Sequence, residues 1–355
     1  MRISIYFIFF SALFLKFFNS HSQESKIKFG AYVDAYYVYD ISKPFNNSRQ
    51  YVTQYDRHNE FNISHAILSG TFEDEKIRAN LGLHTGSYPI NNYSAEPNTL
   101  YQAIYEANAG YKISENGWLD VGIFGGHFGY ESALAIDREL YSPALATEYT
   151  PYYQTGVRYT HDISASTQFR VVVLNGWQNI AETNEHKSVG IAIDHSFTEK
   201  FSLSYGNYYG NESIASSTDN FRFHNNLLVK VEPSNNLALI GVVDYTTESN
   251  ANSDALFLTA IGKYDFSEKW TLAGRYEYVS DKDEILIESI TDQFEVQVIS
   301  LSMNYSATEN ASLKVESKLY RGSEKIFSGT EGIGDTNFII NAGIMIRVES
   351  SRKQR

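Results

Sequence analysis

The chain has 355 residues, no cysteine and a formal charge of −13. That acidity tells against a nucleic-acid partner, which would need a basic face, and without cysteine there is no disulfide framework or thiolate metal site. Hydrophobic residues make up 43 %, with 27 Tyr and 22 Phe, yet the mean hydropathy is −0.33; a helical membrane protein would be far more apolar, whereas a transmembrane barrel wets half of every strand and sets aromatic girdles at both interfaces.

In chain order, residues 1–22 read as a secretory signal peptide. Arg2 supplies the positive start, an apolar stretch follows, and Ser20-His21-Ser22 offers a small-residue cleavage site. Residues 23–348 are then the predicted barrel domain, and 349–355 a charged C-terminal tail. Within the barrel domain, tight polar turns such as Ser114-Glu115-Asn116-Gly117, Thr198-Glu199-Lys200 and Thr308-Glu309-Asn310 alternate with longer polar loops. Between them lie period-two runs. Ile77, Ala79, Leu81 and Leu83 oppose Arg78, Asn80 and His84; Leu119, Val121 and Ile123 oppose Asp120; Leu313, Val315 and Leu319 oppose Lys314, Glu316 and Lys318. Such patterning gives each strand one apolar and one polar wall.

About sixteen such runs are predicted, beginning at Lys26, Arg57, Lys76, Ala103, Gly117, Pro151, Ser166, His186, Lys200, Asn220, Asn236, Asp254, Glu268, Asp292, Asn310 and Thr336. Their length suits tilted membrane strands of roughly 9–11 residues better than soluble strands of about 5–6. The fold class is therefore all-β, a transmembrane antiparallel barrel with short turns on one side and long loops on the other. Two runs break parity. A β-bulge is expected between Val298 and Ile299, and the alternation falters near His224-Asn225-Asn226.

A set of local motifs adds to this reading. They include Val33-Asp34-Ala35-Tyr36-Tyr37, Arg57-His58-Asn59-Glu60-Phe61-Asn62 and Ile104-Tyr105-Glu106-Ala107-Asn108. Further on come His127-Phe128-Gly129-Tyr130-Glu131-Ser132-Ala133, Pro151-Tyr152-Tyr153-Gln154-Thr155-Gly156 and Leu174-Asn175-Gly176-Trp177-Gln178. The segment 33–180 that carries them resembles the porin-2 (OmpL-like) β-barrel family. The resemblance implies an outer-membrane porin and supplies no catalytic residues.

If apolar residues face lipid, their neighbours face the lumen. The predicted pore-lining set is Asp34, Glu60, Asn62, Arg78, Asn80, Glu106, Asp120, Arg158, Arg170, Arg222, Arg275 and Glu277, with Lys314 and Glu316. The longest irregular stretch, 128–150, is the third predicted outer loop. It carries Glu131, Asp137, Glu139 and Glu148 against one Arg138, with a short helix expected over 132–141 before Pro143. By analogy with diffusion porins it is expected to narrow the lumen, its acids facing wall arginines across a transverse field.

Other chemistries find less support. His186-Lys187-Ser188 has an i, i+2 spacing that could pair base and nucleophile on one strand face, but no supporting residue accompanies it. The cluster Asp281-Lys282-Asp283-Glu284 is the first place to look for divalent cations bridging lipopolysaccharide. No catalytic motif, metal site or cofactor is predicted. The expected partners are outer-membrane lipid and lipopolysaccharide, small hydrophilic solutes, and further copies of the chain in a homo-oligomer. The reading is a passive diffusion channel in the bacterial outer membrane; the alternative is a barrel-anchored surface interaction protein without an open pore.

Overall fold

Alternating side chains can line two solvents only if the sheet that carries them closes on itself, and here it does. The structure, a computed structural model, describes residues 27–213, 218–250 and 253–350; the leader expected at 1–22 and the end of the tail, 351–355, lie outside the described residues. The barrel strands are β1 (Ile27–Asp40), β2 (Phe61–Glu73), β3 (Ile77–Thr85), β4 (Ile104–Ser114), β5 (Gly117–Gly125), β6 (Tyr153–Ser164), β7 (Thr167–Leu174) and β8 (Ser188–Thr198). They continue with β9 (Phe201–Asn211), β10 (Phe221–Ser234), β11 (Leu237–Glu248), β12 (Ser253–Asp265), β13 (Trp270–Asp281), β14 (Phe294–Thr308), β15 (Ala311–Gly322) and, after a small hairpin of β16 (Phe327–Gly329) and β17 (Gly332–Gly334), β18 (Thr336–Glu349). Each pairs antiparallel with its neighbour, and β1 pairs with β18 to close the ring, with Val33 opposite Ile346. No sheet edge is left to hydrogen-bond in a medium without water.

The strand starts read from the sequence agree closely, the widest gap being at β2, where chain expected in the sheet from Arg57 folds inward until Phe61. The apolar face of each run points outward. Leu81, Leu83, Val121, Ile299 and Leu301 are all more than half exposed, which is costly in water and favourable in lipid. Among the described residues no helix is long and apolar enough to cross a membrane; the crossing is made by strands.

The expected bulge is absent, and the run whose alternation falters proves regular there. Strand β14 keeps register with β13 and β15 through Val296–Ile299, so no bulge lies there. Phe294, Val296 and Val298 point inward and are buried against loops that fill part of the lumen. The change of parity in the sequence marks a change in what the inner wall touches. Strand β10 also runs without interruption past His224-Asn225-Asn226; Asn225 faces outward and accepts a hydrogen bond from the Tyr205 hydroxyl at 2.7 Å. Bulges toward the loop end occur at Ser64 in β2 and Tyr105 in β4, each an extra residue between paired neighbours. The second turns the Tyr105 ring inward onto His65 and His84.

Candidate functional site: the barrel lumen

The lumen is divided by the long loop 126–152. It leaves β5 and first seats His127 and Phe128 over Gly190 and Gly206, where any β-carbon would collide with them. Phe128 stacks on His224 with ring centres 4.7 Å apart. The loop then crosses to the far wall, formed by β11–β15, β18 and β1, and is pinned there. Lys314 donates to the carbonyls of Ala135 and Arg138, Asn304 to that of Glu139, Arg275 to those of Ser142 and Pro143, and Lys318 to that of Pro143. Because these carbonyls serve wall donors, the helix expected over 132–141 does not form. A single 3-10 turn, Ala135–Asp137, stands there, and the short helix Leu145–Tyr149 follows Pro143 instead of preceding it.

Side chains complete the anchorage. Arg275, buried, lies 3.0 Å from Glu131, 2.8 Å from Glu277 and 3.7 Å from Glu316. Glu277 accepts the Leu145 N–H and Glu316 the Ser142 hydroxyl. Asp34 accepts from the Tyr141 and Tyr55 hydroxyls, each at 2.7 Å. Burial, and then the neighbouring Asp34 carboxylate, push both phenols well above the usual tyrosine range, so they remain donors. The first outer loop, 41–60, also folds inward. Residues in the left-handed region at Tyr51 and Tyr55 turn it, and Thr53 donates to Glu148 through its N–H and hydroxyl. Leu140 is fully buried among Ala238, Ile240, Val242, Ile261 and Ala273. This half of the lumen is packed as a protein core.

The opposite wall is different. Arg78, Asp120, Arg158 and Arg170 point inward from β3, β5, β6 and β7 in a ladder. Asp120 accepts a bidentate pair from Arg78 at 2.7 and 2.6 Å and a third bond from Arg158 at 3.4 Å. Arg170 pairs with Asp194 of β8 at 2.6 Å. Three cavities follow this wall. The first, about 330 Å³, lies under the outer loops beside Tyr105, Glu106 and Tyr152. The second, about 280 Å³, shares Gly126, Phe128 and Gly129 with it and reaches Arg158, Arg170 and Asp194. The third, about 610 Å³, shares Asp194 and opens among the short turns at Ser164, Ser166 and Ser196. The series runs from the loop end to the turn end of the barrel.

A family model described as "Putative beta-barrel porin-2, OmpL-like" matches residues 26–348. The chain belongs to this family. The porin has the fold of outer-membrane channels of known structure. A Salmonella typhi OmpF, solved with daunomycin, superposes with a TM-score of 0.62 at 15 % identity over 93 % of this chain and 99 % of that one. The outer membrane channel DcaP of Acinetobacter baumannii gives 0.62 at 13 % identity, covering 91 % and 97 %. An anion-selective porin from Comamonas acidovorans gives 0.60 at 10 % identity, covering 91 % and 99 %. At these identities the likeness is one of fold. No curated protein matches the porin in sequence.

The expected lining residues separate into three groups. Arg78, Asn80, Glu106, Asp120, Arg158 and Arg170 come together on the ladder wall, Asn80 bonded to Asn108 at 2.9 Å. Asp34, Arg275, Glu277, Lys314 and Glu316 also point inward, but they lie beneath the loops and hold them. Glu60 and Asn62 sit at the loop-end rim with Arg57, and Arg222 pairs there with Glu248 at 2.6 Å. The loop's acids do not face the arginine ladder as expected: Glu131 pairs with Arg275, Asp137 with Arg347, Glu139 accepts from Tyr130, and Glu148 from Thr53. Only Glu131 finds a buried wall cation; Asp137 meets Arg347 at an exposed position, and the partners of the other two are neutral donors. Burial raises the Glu148 carboxyl above the usual range, against the pull of its Thr53 hydrogen bonds.

Two other expectations also change. Ser188 is buried and its hydroxyl pairs with Tyr208, while His186 stands 3.7 Å from Asp219; the i, i+2 spacing does not make an outward base–nucleophile pair. Asp281 turns in to accept the N–H groups of Ile285, Leu286 and Ile287, so it shapes a loop and does not head a surface cation cluster. Asp194 escaped the predicted set although its alternation with Val189, Ile191 and Ile193 marked it. Tyr55 and Thr53 carried no such signal, since a loop has no period.

Proposed function

We propose that the barrel is a passive diffusion channel for small hydrophilic solutes, which pass along the ladder wall while the long loop and the first loop occupy the other half of the lumen. The observation that carries this is the series of three cavities with shared lining residues from one barrel end to the other. The work is steric and electrostatic filtering with no energy input. Among the solved structures of similar fold, the Vibrio cholerae OmpT is described in a trimer form, and a homo-oligomer of this chain in outer-membrane lipid belongs to the same proposal.

The test is single-channel recording of the refolded chain in planar bilayers. Discrete ohmic steps are expected, and deletion of 132–146 should raise the conductance, because the packed half of the lumen would then fill with water. An unchanged conductance would remove that segment from the pore. The packing of half the lumen favours a second reading, a surface interaction protein merely anchored by its barrel. Intact, membrane-inserted protein that never conducts would select it.

A further inference from the structure

Resting on the channel reading above, we infer that the outer part of the path is a binding site for neutral saccharides. The first cavity, within the range of ordinary ligand pockets in volume, is walled by Tyr105, Phe128, Tyr130 and Tyr152, all partly exposed, with buried Tyr88 and Tyr93 among its lining. A purely hydrated ion gains nothing from such a wall. The C–H face of a pyranose does, because it can lie flat on an aromatic ring while its hydroxyls point elsewhere.

The second cavity supplies what those hydroxyls need. Arg158 and Arg170 line it, each with about a fifth of its side chain exposed. Arg158 is laid over the Phe124 ring at 4.5 Å, as Arg78 is over Trp118 at 4.4 Å. Guanidinium groups flattened in this way present a planar fork of donors. Charge along this stretch is balanced, since Arg158 and Arg170 stand with Asp194 and Glu106, and Glu131 is paired to Arg275. A site built for an anion would leave cations in excess. This one offers paired donors and acceptors beside aromatic platforms, the combination that suits a polyhydroxylated, uncharged ligand. Phe128 lines both cavities, so its ring would meet a sugar unit in either one.

Trp177 lies 5.8 Å from Phe128, and tryptophan emission can therefore report occupancy whether or not current flows. The detergent-solubilised full chain is titrated with maltotriose, with a polyethylene glycol of matched mass, and with citrate; the same solutes are then added during single-channel recording. Saturable emission change and discrete current blockade with maltotriose are expected, with weaker effects of the other two. Tyr105→Ala and Phe128→Leu should each weaken the midpoint about 2- to 10-fold, the range of one aromatic contact. Equal responses to the glycol, tighter binding of citrate, or no saturable response to maltotriose would each overturn the inference. Saturable binding without any conductance would uphold it and defeat the channel reading instead.

Discussion

At the residue scale, Arg275 shows why the lumen is divided as it is. An arginine on the inner wall of a wet barrel would ordinarily be solvated. Here its guanidinium is buried among Glu131, Glu277 and Glu316 and two loop carbonyls. Taking one member from such a group leaves the others charged and uncompensated, at a cost of about 3–5 kcal/mol. Lys318, 3.5 Å from Glu277, would be the nearest remaining cation. Arg275→Met is therefore expected to loosen the long loop while the lipid-facing wall persists. Limited proteolysis should cut within 126–152 in the variant and spare the parent, and the urea midpoint should fall. Equal resistance in both would mean that the loop is held by its apolar contacts alone.

At the scale of elements, the long loop behaves as a seventeenth structural piece fitted to the wall. Its midpoint seat is Gly343 of β18, where a side chain would occupy the place of the Tyr141 hydroxyl. That hydroxyl is committed to Asp34, and a hydrogen bond to a charged group is worth roughly 1.5–3 kcal/mol. Gly343→Ala should displace Tyr141, free this part of the loop and raise both conductance and current noise; an unaltered single-channel trace would show that the ring can shift without releasing the loop. The same fit explains the parity of β14. Its inward residues are apolar at Phe294, Val296 and Val298, where they meet apolar loop side chains, and polar at the equally buried Ser300, Ser302 and Asn304, the last of which donates to the loop carbonyl of Glu139. A strand in this barrel thus reports the lining of the lumen as well as the lipid.

For the whole molecule, the charge of −13 is a poor guide to selectivity, because ions sense the local wall of a narrow path more than the total. Along the first two cavities of the proposed route Arg158 and Arg170 offset Glu106 and Asp194. In a tenfold salt gradient the reversal potential should lie well inside the ~59 mV limit of an ideally selective pore, and Arg158→Ser should move it toward cation preference. A strongly cation-selective parent would place the path elsewhere in the lumen.

The strands were legible in the sequence because a closed sheet between lipid and lumen imposes one rule on every second residue. Val189, Ile191 and Ile193 had to face lipid, and Asp120 and Arg158 had to face inward, whatever the rest of the chain did. That rule determined the class of fold, the even strand number, the strand starts within a few residues and the ladder wall, and the local motifs of 33–180 pointed to the family. It could not tell which inward residues stay wet. Asp34, Arg275 and Glu277 obey the same alternation as Arg78 and Arg158, and only the course of the loops through the lumen separates them. Loops have no period, and their partners lie far off in sequence, as Ser142 does from Glu316. The tertiary structure alone decided where the acids of 126–152 find partners, because that depends on which donors the folded chain can reach.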